Sequence, residues 1–251
     1  MSQIGKAMRL ANIYGGKKRL VIVPMDHGPE MGPVKGIENP VKVIENLSKE
    51  KPNAFMIHRG ILIKSYHILT SFNIPFILKL NTVNTEGRDT DRDILVDSVE
   101  DAVRFGASGV AFEFLMGSKY EYEMLRDLGS VASESEKWGL PLLVMAYPTG
   151  YSNNYDVSLI KHAVRIVSEL GADIVKTSYT GSFETFAEVV DTSPVPVVMA
   201  GGEKIDRFEE VLQIVENVIK AGAEGVMIGR NIFQADDPAK ALNEIEKIVW
   251  R

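Results

Sequence analysis

The chain has 251 residues, a formal net charge of −6 and no cysteine, with 45% hydrophobic and 25% charged residues. These values are ordinary for a folded globular protein and exclude a mainly disordered chain. The acidic balance argues against nucleic acid and anionic membranes as partners, since both require a cationic protein face. The lack of cysteine excludes disulfides, thiolate metal sites and a cysteine nucleophile.

Targeting and membrane signals are the next feature to consider. No stretch reaches the about 18 consecutive apolar residues of a membrane span. Residues 1–18 mix charged with apolar side chains and lack the uninterrupted apolar core of a signal peptide. We therefore expect a cytoplasmic protein.

Eight short apolar runs recur along the chain, and each is followed by a longer helical pattern. The runs are Leu20–Met25, Ala54–His58, Pro75–Leu80, Gly109–Phe114, Pro141–Ala146, Asp173–Lys176, Pro196–Ala200 and Gly225–Ile228. Nearly continuous hydrophobicity is typical of parallel strands that are covered on both faces. One helix is predicted over Val157–Leu170 with Asp156 as its N-cap, and Pro238–Val249 is predicted to be the closing helix.

The alternation of strands and helices predicts right-handed βαβ units. Eight such units close into a (β/α)8 TIM barrel, and a length near the roughly 250 residues of that fold supports one barrel domain over residues 1–251. An open, doubly wound sheet is the alternative architecture. The polar stretch Asn81–Asp93 is predicted to be a loop over the barrel mouth.

Two lysines stand at the ends of predicted strands, where barrels carry their active residues. Lys176 follows the apolar run 172–175, and Lys79 ends an equivalent run. A lysine in an apolar site has a lowered pKa, and its neutral amine can attack a carbonyl to form a Schiff base. Position alone does not separate the two lysines, and either could instead extend its amine into solvent.

Two further strand ends carry groups that can transfer protons. Asp26 follows the first run and could exchange a proton with a substrate hydroxyl or hold the charge of the lysine. Tyr147 follows the fifth run and could act as a phenolic acid or base. The structural alternatives are an N-cap role for Asp26 and a packed, hydrogen-bonded ring for Tyr147.

The last two strands end in glycine-bearing turns, at the place where barrels commonly bind phosphate. Gly201, Gly202 and Gly229 allow backbone N–H groups to approach phosphate oxygens, and Arg230 and Lys204 supply positive charge. The alternative is that these glycines only relieve crowding in tight turns.

Metal and cofactor signals are weak in this sequence. The histidines form no close-spaced ligand motif, although His27 and His58 could meet at the barrel mouth. No GxGxxG dinucleotide motif follows the first strand. We predict neither a metal nor a cofactor.

With these strand ends in view, the chain resembles the archaeal-type class I aldolase family over nearly its whole length. The resemblance is carried by Val23-Pro-Met-Asp-His-Gly, Tyr147-Pro, Val175-Lys-Thr-Ser-Tyr-Thr-Gly, Ala200-Gly-Gly-Glu-Lys and Gly229-Arg-Asn-Ile-Phe-Gln. The family includes fructose-1,6-bisphosphate aldolases and 2-amino-3,7-dideoxy-D-threo-hept-6-ulosonate synthases.

The resemblance implies a role for each of these residues. It implies that Lys176, rather than Lys79, forms the Schiff base, that Tyr147 is the acid/base group and that Asp26 assists. The predicted phosphate- and substrate-binding residues are His27, Gly201, Gly202, Lys204, Gly229 and Arg230. A phosphorylated sugar is the implied substrate, and a homo-oligomer, commonly a decamer in this family, is the implied assembly.

Two departures and the choice of reaction complete the expectations. Thr149 stands where many members have arginine, and Glu203 stands where proline is frequent. The segment Phe76–Asn81 favours a fructose-bisphosphate aldolase, which we expect here, whereas segments 23–28 and 176–181 favour the heptulosonate synthase. A barrel that binds a sugar phosphate without chemistry is the third interpretation.

Overall fold

The computed structural model describes residues 2–251 and contains a closed barrel of eight parallel strands. Residues 2–251 form ten strands, of which all but β4 and β5 belong to the barrel. They are β1 Leu20–Pro24, β2 Ala54–Ile57, β3 Phe76–Lys79, β4 Asn81–Thr82, β5 Ile94–Leu95, β6 Gly109–Met116, β7 Leu142–Pro148, β8 Ile174–Ser178, β9 Val197–Ala200 and β10 Gly225–Met227. The barrel order is β1-β10-β9-β8-β7-β6-β3-β2, and β1 pairs with both β10 and β2. The predicted TIM barrel is confirmed, and the open doubly wound sheet is wrong because the sheet has no free edge.

Helices surround the barrel and follow the predicted pattern. They are α1 Ser2–Tyr14, α2 His27–Met31, α3 Pro40–Leu47, α4 Arg59–Phe72, α5 Val99–Phe105, α6 Glu121–Trp138, α7 Val157–Glu169, α8 Phe183–Thr192, α9 Phe208–Lys220, α10 Arg230–Phe233 and α11 Pro238–Val249. The predicted cap at Asp156 is confirmed, since its carboxylate accepts hydrogen bonds from the N–H groups of Ser158 and Leu159. No helix in residues 2–251 is both long and apolar enough to cross a membrane.

Helix α1 closes the N-terminal end of the barrel, a role that the sequence pattern did not indicate. Ile13 is buried among inward-facing side chains that include Leu20 and Ala54. The amide of Asn53 fixes the helix end by donating to the carbonyl oxygens of Ile13 and Tyr14 at 3.1 and 2.9 Å. This packing seals the barrel below the polar layer at its mouth.

The inside of the barrel changes from apolar to polar along each strand. Successive side chains of a strand point to opposite faces, so every second residue points inward. An apolar inner cluster occupies the lower levels and includes Ile22, Ile77, Ala111, Leu143 and Ile174. Two or four residues further along the same strands, toward their C-terminal ends, the side chains become polar or ionisable: Asp26, Lys79, Glu113, Tyr147 and Lys176. The strand register therefore brings these five side chains to the same end of the barrel.

The predicted loop over Asn81–Asp93 is partly ordered into a small hairpin. Asn81 and Thr82 pair antiparallel with Leu95 and Ile94. Two-residue strands give too little alternation for sequence analysis to recognise them. The hairpin buries Asp93 and sets Asn81 against β6.

Candidate active site

A cavity of about 320 Å³ opens at the C-terminal end of the strands. Its chemically active lining comprises Asp26, His27, Glu30, Glu113, Tyr147, Lys176, Ser178, Gly201, Gly202, Gly229 and Arg230. A larger cavity of about 550 Å³ lies near Phe76 and Arg104 at the opposite end of the barrel and contains none of the predicted site residues. All the predicted catalytic and binding residues except Lys204 therefore converge on the smaller cavity.

Lys176 points into the cavity rather than out to solvent. The residue is 9% exposed, and its Nζ lies 3.4 Å from Met145 Sδ and 6.0 Å from the centre of the Tyr147 ring. Among residues 2–251 it forms no ion pair within 4.0 Å, and burial lowers the pKa of Lys176 despite the opposing influence of Asp26. This environment favours the neutral amine, which is the nucleophilic form.

Lys79 lies in a different environment, although both lysines are buried. Its Nζ contacts Glu113 Oε2 at 3.1 Å and lies 3.9 Å from Glu30 Oε1, and its side chain has no exposed surface. Burial would lower the pKa of Lys79, but Glu113, Asp93 and Glu30 outweigh it and raise the pKa. The paired ammonium is held as a cation and does not line the cavity.

Asp26 ends the turn after β1 and is 5% exposed. It stands at the N-cap position of α2, but its side chain makes no capping hydrogen bond. Burial would raise the pKa of Asp26, whereas His27, Lys79 and Lys176 lower it, and the net direction is downward. The cavity therefore contains an ionised carboxylate beside the lysine amine.

His27 connects Asp26 with the far wall of the cavity. Its Nδ1 lies 3.6 Å from Asp26 Oδ1, and its ring stands edge-on to Phe233 with the ring centres 5.4 Å apart. Burial lowers the pKa of His27, which favours the neutral imidazole.

No group of three or more metal-ligating side chains forms in residues 2–251, and His58 lies outside the lining of this cavity.

Tyr147 is partly buried at the end of β7, and its hydroxyl forms no hydrogen bond with any of residues 2–251. Burial raises the pKa of Tyr147 well above its usual value, and Glu113 and Asp26 add to the effect. The phenol is therefore protonated at neutral pH and is able to donate its proton inside the cavity.

The glycine turns after β9 and β10 form one wall of the cavity together with Arg230. Gly202 has a φ of 65°, and a Cβ on Gly201 would lie 2.9 Å from Ile228 Cα, so neither position tolerates a side chain without strain. Asn231 fixes this turn, because its amide donates to the carbonyl oxygens of Gly201 and Glu203, both at 2.8 Å.

Two residues that the sequence analysis discussed at this wall lie away from the cavity. Lys204 donates from its Nζ to the carbonyl oxygen of Ile205 at 2.9 Å and is absent from the lining. Glu203 is exposed and is also absent from the lining. Thr149 also lies outside the lining.

Sequence reasoning missed two acidic residues of this cavity, Glu113 and Glu30. Glu113 lies within the apolar run Gly109–Phe114, and a charge inside a covered strand was a usable signal because such charges are paired or functional. Glu30 lies on the short helix α2, and nothing in its local pattern indicated that it would reach the barrel interior. The anchoring role of Asn231 was also missed, because it acts through contacts to residues 28 and 30 positions earlier in the chain.

Comparison with known proteins adds an independent line of observation. The profile described as DeoC/LacD family aldolase matches residues 20–235. A 2-amino-3,7-dideoxy-D-threo-hept-6-ulosonate synthase of Halobacterium salinarum is 36% identical over 99% of this chain and 93% of its own. A class 1 fructose-bisphosphate aldolase of Thermoproteus tenax is 34% identical over 96% of this chain and 94% of its own.

A solved structure gives the same picture at the level of the fold. An archaeal fructose-1,6-bisphosphate aldolase, with its catalytic lysine bound covalently to the carbinolamine intermediate of the substrate, superimposes with a TM-score of 0.90. That protein is 32% identical to this chain, and the match covers 98% of this chain and 100% of the other. The resemblance that the strand-end motifs suggested is thereby confirmed.

Proposed function

Because the chain belongs to the DeoC/LacD aldolase family, we propose that it is a Schiff-base aldolase that forms or breaks a C–C bond in a phosphorylated ketose. The observation that carries the proposal is the environment of Lys176. A buried amine with a lowered pKa lies in one cavity with an ionised carboxylate and a protonated phenol. These are the three kinds of group that imine-based aldol chemistry requires.

The first step is formation of the imine. The neutral amine of Lys176 attacks the ketone carbon, and proton transfer gives a carbinolamine. Its hydroxyl takes up a proton and leaves as water, which produces an iminium ion. Asp26, whose lowered pKa keeps it ionised, stabilises this new positive charge.

The second step breaks the C–C bond next to the iminium carbon. The proton leaves the hydroxyl on the far carbon, that hydroxyl becomes an aldehyde, and the bonding electrons move into the iminium to form an enamine. The protonated phenol of Tyr147 accepts this proton while it donates its own proton to the ionised carboxylate of Asp26. In the forming direction the phenol donates a proton to the aldehyde oxygen and recovers one from Asp26. Protonation of the enamine and hydrolysis of the iminium then release the ketone and regenerate Lys176.

The phosphate group of the ketose binds at the cavity wall that the two glycine turns form with Arg230. Arg230 and the backbone of Gly201, Gly202 and Gly229 line the same cavity as Lys176. The N–H of Gly201 already donates to the carbonyl oxygen of Met227 at 3.1 Å, so the guanidinium of Arg230 and the backbone N–H groups of Gly202 and Gly229 are left to bind a phosphate dianion. Binding energy from this remote group orients the ketone carbon at the amine.

Trapping with borohydride tests this proposal directly. Reduction in the presence of dihydroxyacetone phosphate should attach the ketone covalently, and peptide mapping should place the label on Lys176. Lys176→Met should abolish the label. If the chain were a barrel that binds without chemistry, no label would form and Lys176→Met would leave ligand affinity unchanged.

Two reactions fit this imine chemistry and differ in the second reactant. The expected cleavage of fructose 1,6-bisphosphate gives a phosphorylated aldehyde, whereas the alternative heptulosonate synthase transfers a three-carbon fragment to aspartate semialdehyde. Relatives of both kinds are similarly distant from this chain. Rates of fructose-bisphosphate cleavage and of condensation with aspartate semialdehyde, measured on the same preparation, distinguish them. The predicted homo-oligomer is testable by light scattering after gel filtration.

A further inference from the structure

Met145 is the closest polar neighbour of the Lys176 amine. Its Sδ accepts a hydrogen bond from Nζ at 3.4 Å, and this is the one hydrogen bond that the amine forms with residues 2–251. Met145 is 2% exposed, and it lines the active-site cavity together with Lys176. The thioether therefore faces the same space as the reacting amine.

The barrel register fixes the thioether at the level of the amine. Met145 and Lys176 are paired residues on the neighbouring strands β7 and β8, and both side chains point into the barrel. Beside this pair, the hydroxyl of Thr177 donates to the carbonyl oxygen of Ala146 at 2.9 Å and ties the two strands together. The Met145 side chain also packs in the apolar inner cluster of the barrel. The sulfur is therefore held in place by backbone pairing and by packing.

A thioether is a weak hydrogen-bond acceptor. It can direct one N–H of an amine, but unlike a carboxylate it brings no negative charge that would hold the ammonium form. Lys79 shows the contrast, because its Nζ contacts Glu113 Oε2 at 3.1 Å and its pKa is raised despite its burial. Burial lowers the pKa of Lys176, and a sulfur acceptor opposes this shift far less than an oxygen acceptor would.

We propose that Met145 is a positioning residue, whose thioether accepts one N–H of Lys176 and so turns the nitrogen lone pair toward the ketone carbon. The inference rests on the proposed aldolase function and deepens it. The hydrogens and the lone pair of an amine stand at tetrahedral angles, so anchoring one hydrogen on Sδ restricts the directions that the lone pair can take. The iminium nitrogen keeps one hydrogen, and its donation to the same sulfur holds the C=N bond in one orientation while the C–C bond breaks.

Met145→Leu tests the role of the acceptor, because it keeps an apolar side chain of similar size and removes the sulfur. The chain is mixed with saturating dihydroxyacetone phosphate and quenched with borohydride after successive times, so that label on Lys176 reports the rate of imine formation. We expect this rate to fall roughly 3- to 10-fold, as for the loss of one weak hydrogen bond. The half-saturating donor concentration should stay unchanged, because the phosphate site is intact.

Met145→Gln distinguishes positioning from simple packing. Glutamine is unbranched like methionine, but its amide oxygen is a stronger acceptor that stabilises the ammonium form of Lys176. The pKa of Lys176 should therefore rise, and the pH at which trapping reaches half its maximal rate should move up by roughly one to two pH units. The rate should recover above that pH. A side chain that only fills space would slow the reaction equally at every pH.

Met56→Leu is the matched control. Met56 is another fully buried methionine of the inner cluster, but it does not line the cavity. Its replacement should leave both the trapping rate and its pH dependence unchanged, because it lies outside the surroundings of the amine.

The possible outcomes separate this inference from the proposed function. If borohydride traps no ketone on Lys176 of the native chain, the aldolase proposal fails and the inference fails with it. If the native chain is trapped but Met145→Leu reacts at the native rate, or Met56→Leu is slowed equally, only the inference is overturned. An unchanged pH profile in a folded Met145→Gln also overturns it. Should Met145→Gln not fold, the comparison of Met145→Leu with Met56→Leu still decides the question.

Discussion

Replacing Lys79 with methionine removes the buried cation that pairs with Glu113 and lies near Glu30. Its Nζ lies 3.1 Å from Glu113 and 3.9 Å from Glu30, with no exposed surface. With an effective dielectric constant of about 20, these separations correspond to attractions of about 5 and about 4 kcal/mol. Because burial and the neighbouring carboxylates Glu113 and Asp26 raise the pKa of Glu30 to about 9, the first pair contributes most at pH 7.

We therefore expect Lys79→Met to lower the free energy of unfolding by about 3–5 kcal/mol at pH 7, the usual cost of leaving a buried charge alone. The carboxylates left behind bind protons more readily in the folded state, so the loss should shrink as the pH falls toward 5. Urea unfolding at pH 5, 6, 7 and 8 measures both effects.

Lys176→Met is the matched control for this experiment. Lys176 is also buried, but its nearest polar contact is the sulfur of Met145 and no carboxylate of residues 2–251 lies within 4.0 Å. An unpaired amine in such a site costs desolvation energy, so this change should alter stability by less than about 1 kcal/mol or increase it. Equal losses in the two variants, or a loss that does not depend on pH, would refute the contrast drawn between the two lysines.

Three further changes test other parts of the molecule. Tyr147→Phe should lower kcat about 100- to 10,000-fold in a coupled cleavage assay while borohydride still labels Lys176, because only the proton transfer is lost. Arg230→Gln should raise KM for dihydroxyacetone phosphate roughly 10- to 100-fold without changing KM for dihydroxyacetone, measured by initial rates. Glu246→Gln should raise the free energy of unfolding at pH 8 by about 1–3 kcal/mol, measured with urea.

The prediction for Glu246→Gln follows from the direction in which the pKa of Glu246 shifts on folding. Burial, assisted by Glu50, raises the pKa of Glu246 from 4.5 to about 8. The folded state therefore holds a proton that the unfolded state releases, and stability is full below pH 4.5 and falls as the pH rises to 8. Asp93 and Glu30, whose pKa values burial raises to about 8 and about 9, add slopes of the same sign, so Glu246→Gln should make the slope shallower and not abolish it. A slope equal to that of the native chain would contradict the assignment, as would full activity of Tyr147→Phe or an equal KM change for both ketones in Arg230→Gln.

Much of the fold follows from local pattern. Each of the eight apolar runs overlaps a barrel strand, and α11 begins and ends at the predicted residues, Pro238 and Val249. Strand and helix periodicity are properties of neighbouring residues, so the sequence carries them without reference to the rest of the chain. The two-residue strands β4 and β5 and the barrel-closing helix α1 escaped prediction, because their definition depends on contacts with distant residues.

The candidate site divides in the same way. The sequence by itself determined that Asp26, Tyr147 and Lys176 stand at strand ends, because a parallel barrel gathers those ends at one mouth. Only the tertiary structure decided that Lys79 is paired and Lys176 is not, since the partner Glu113 lies 34 residues from Lys79 along the chain. The pKa of each lysine depends on its burial and on the charged side chains that contact it across the barrel, and the local sequence does not determine those contacts.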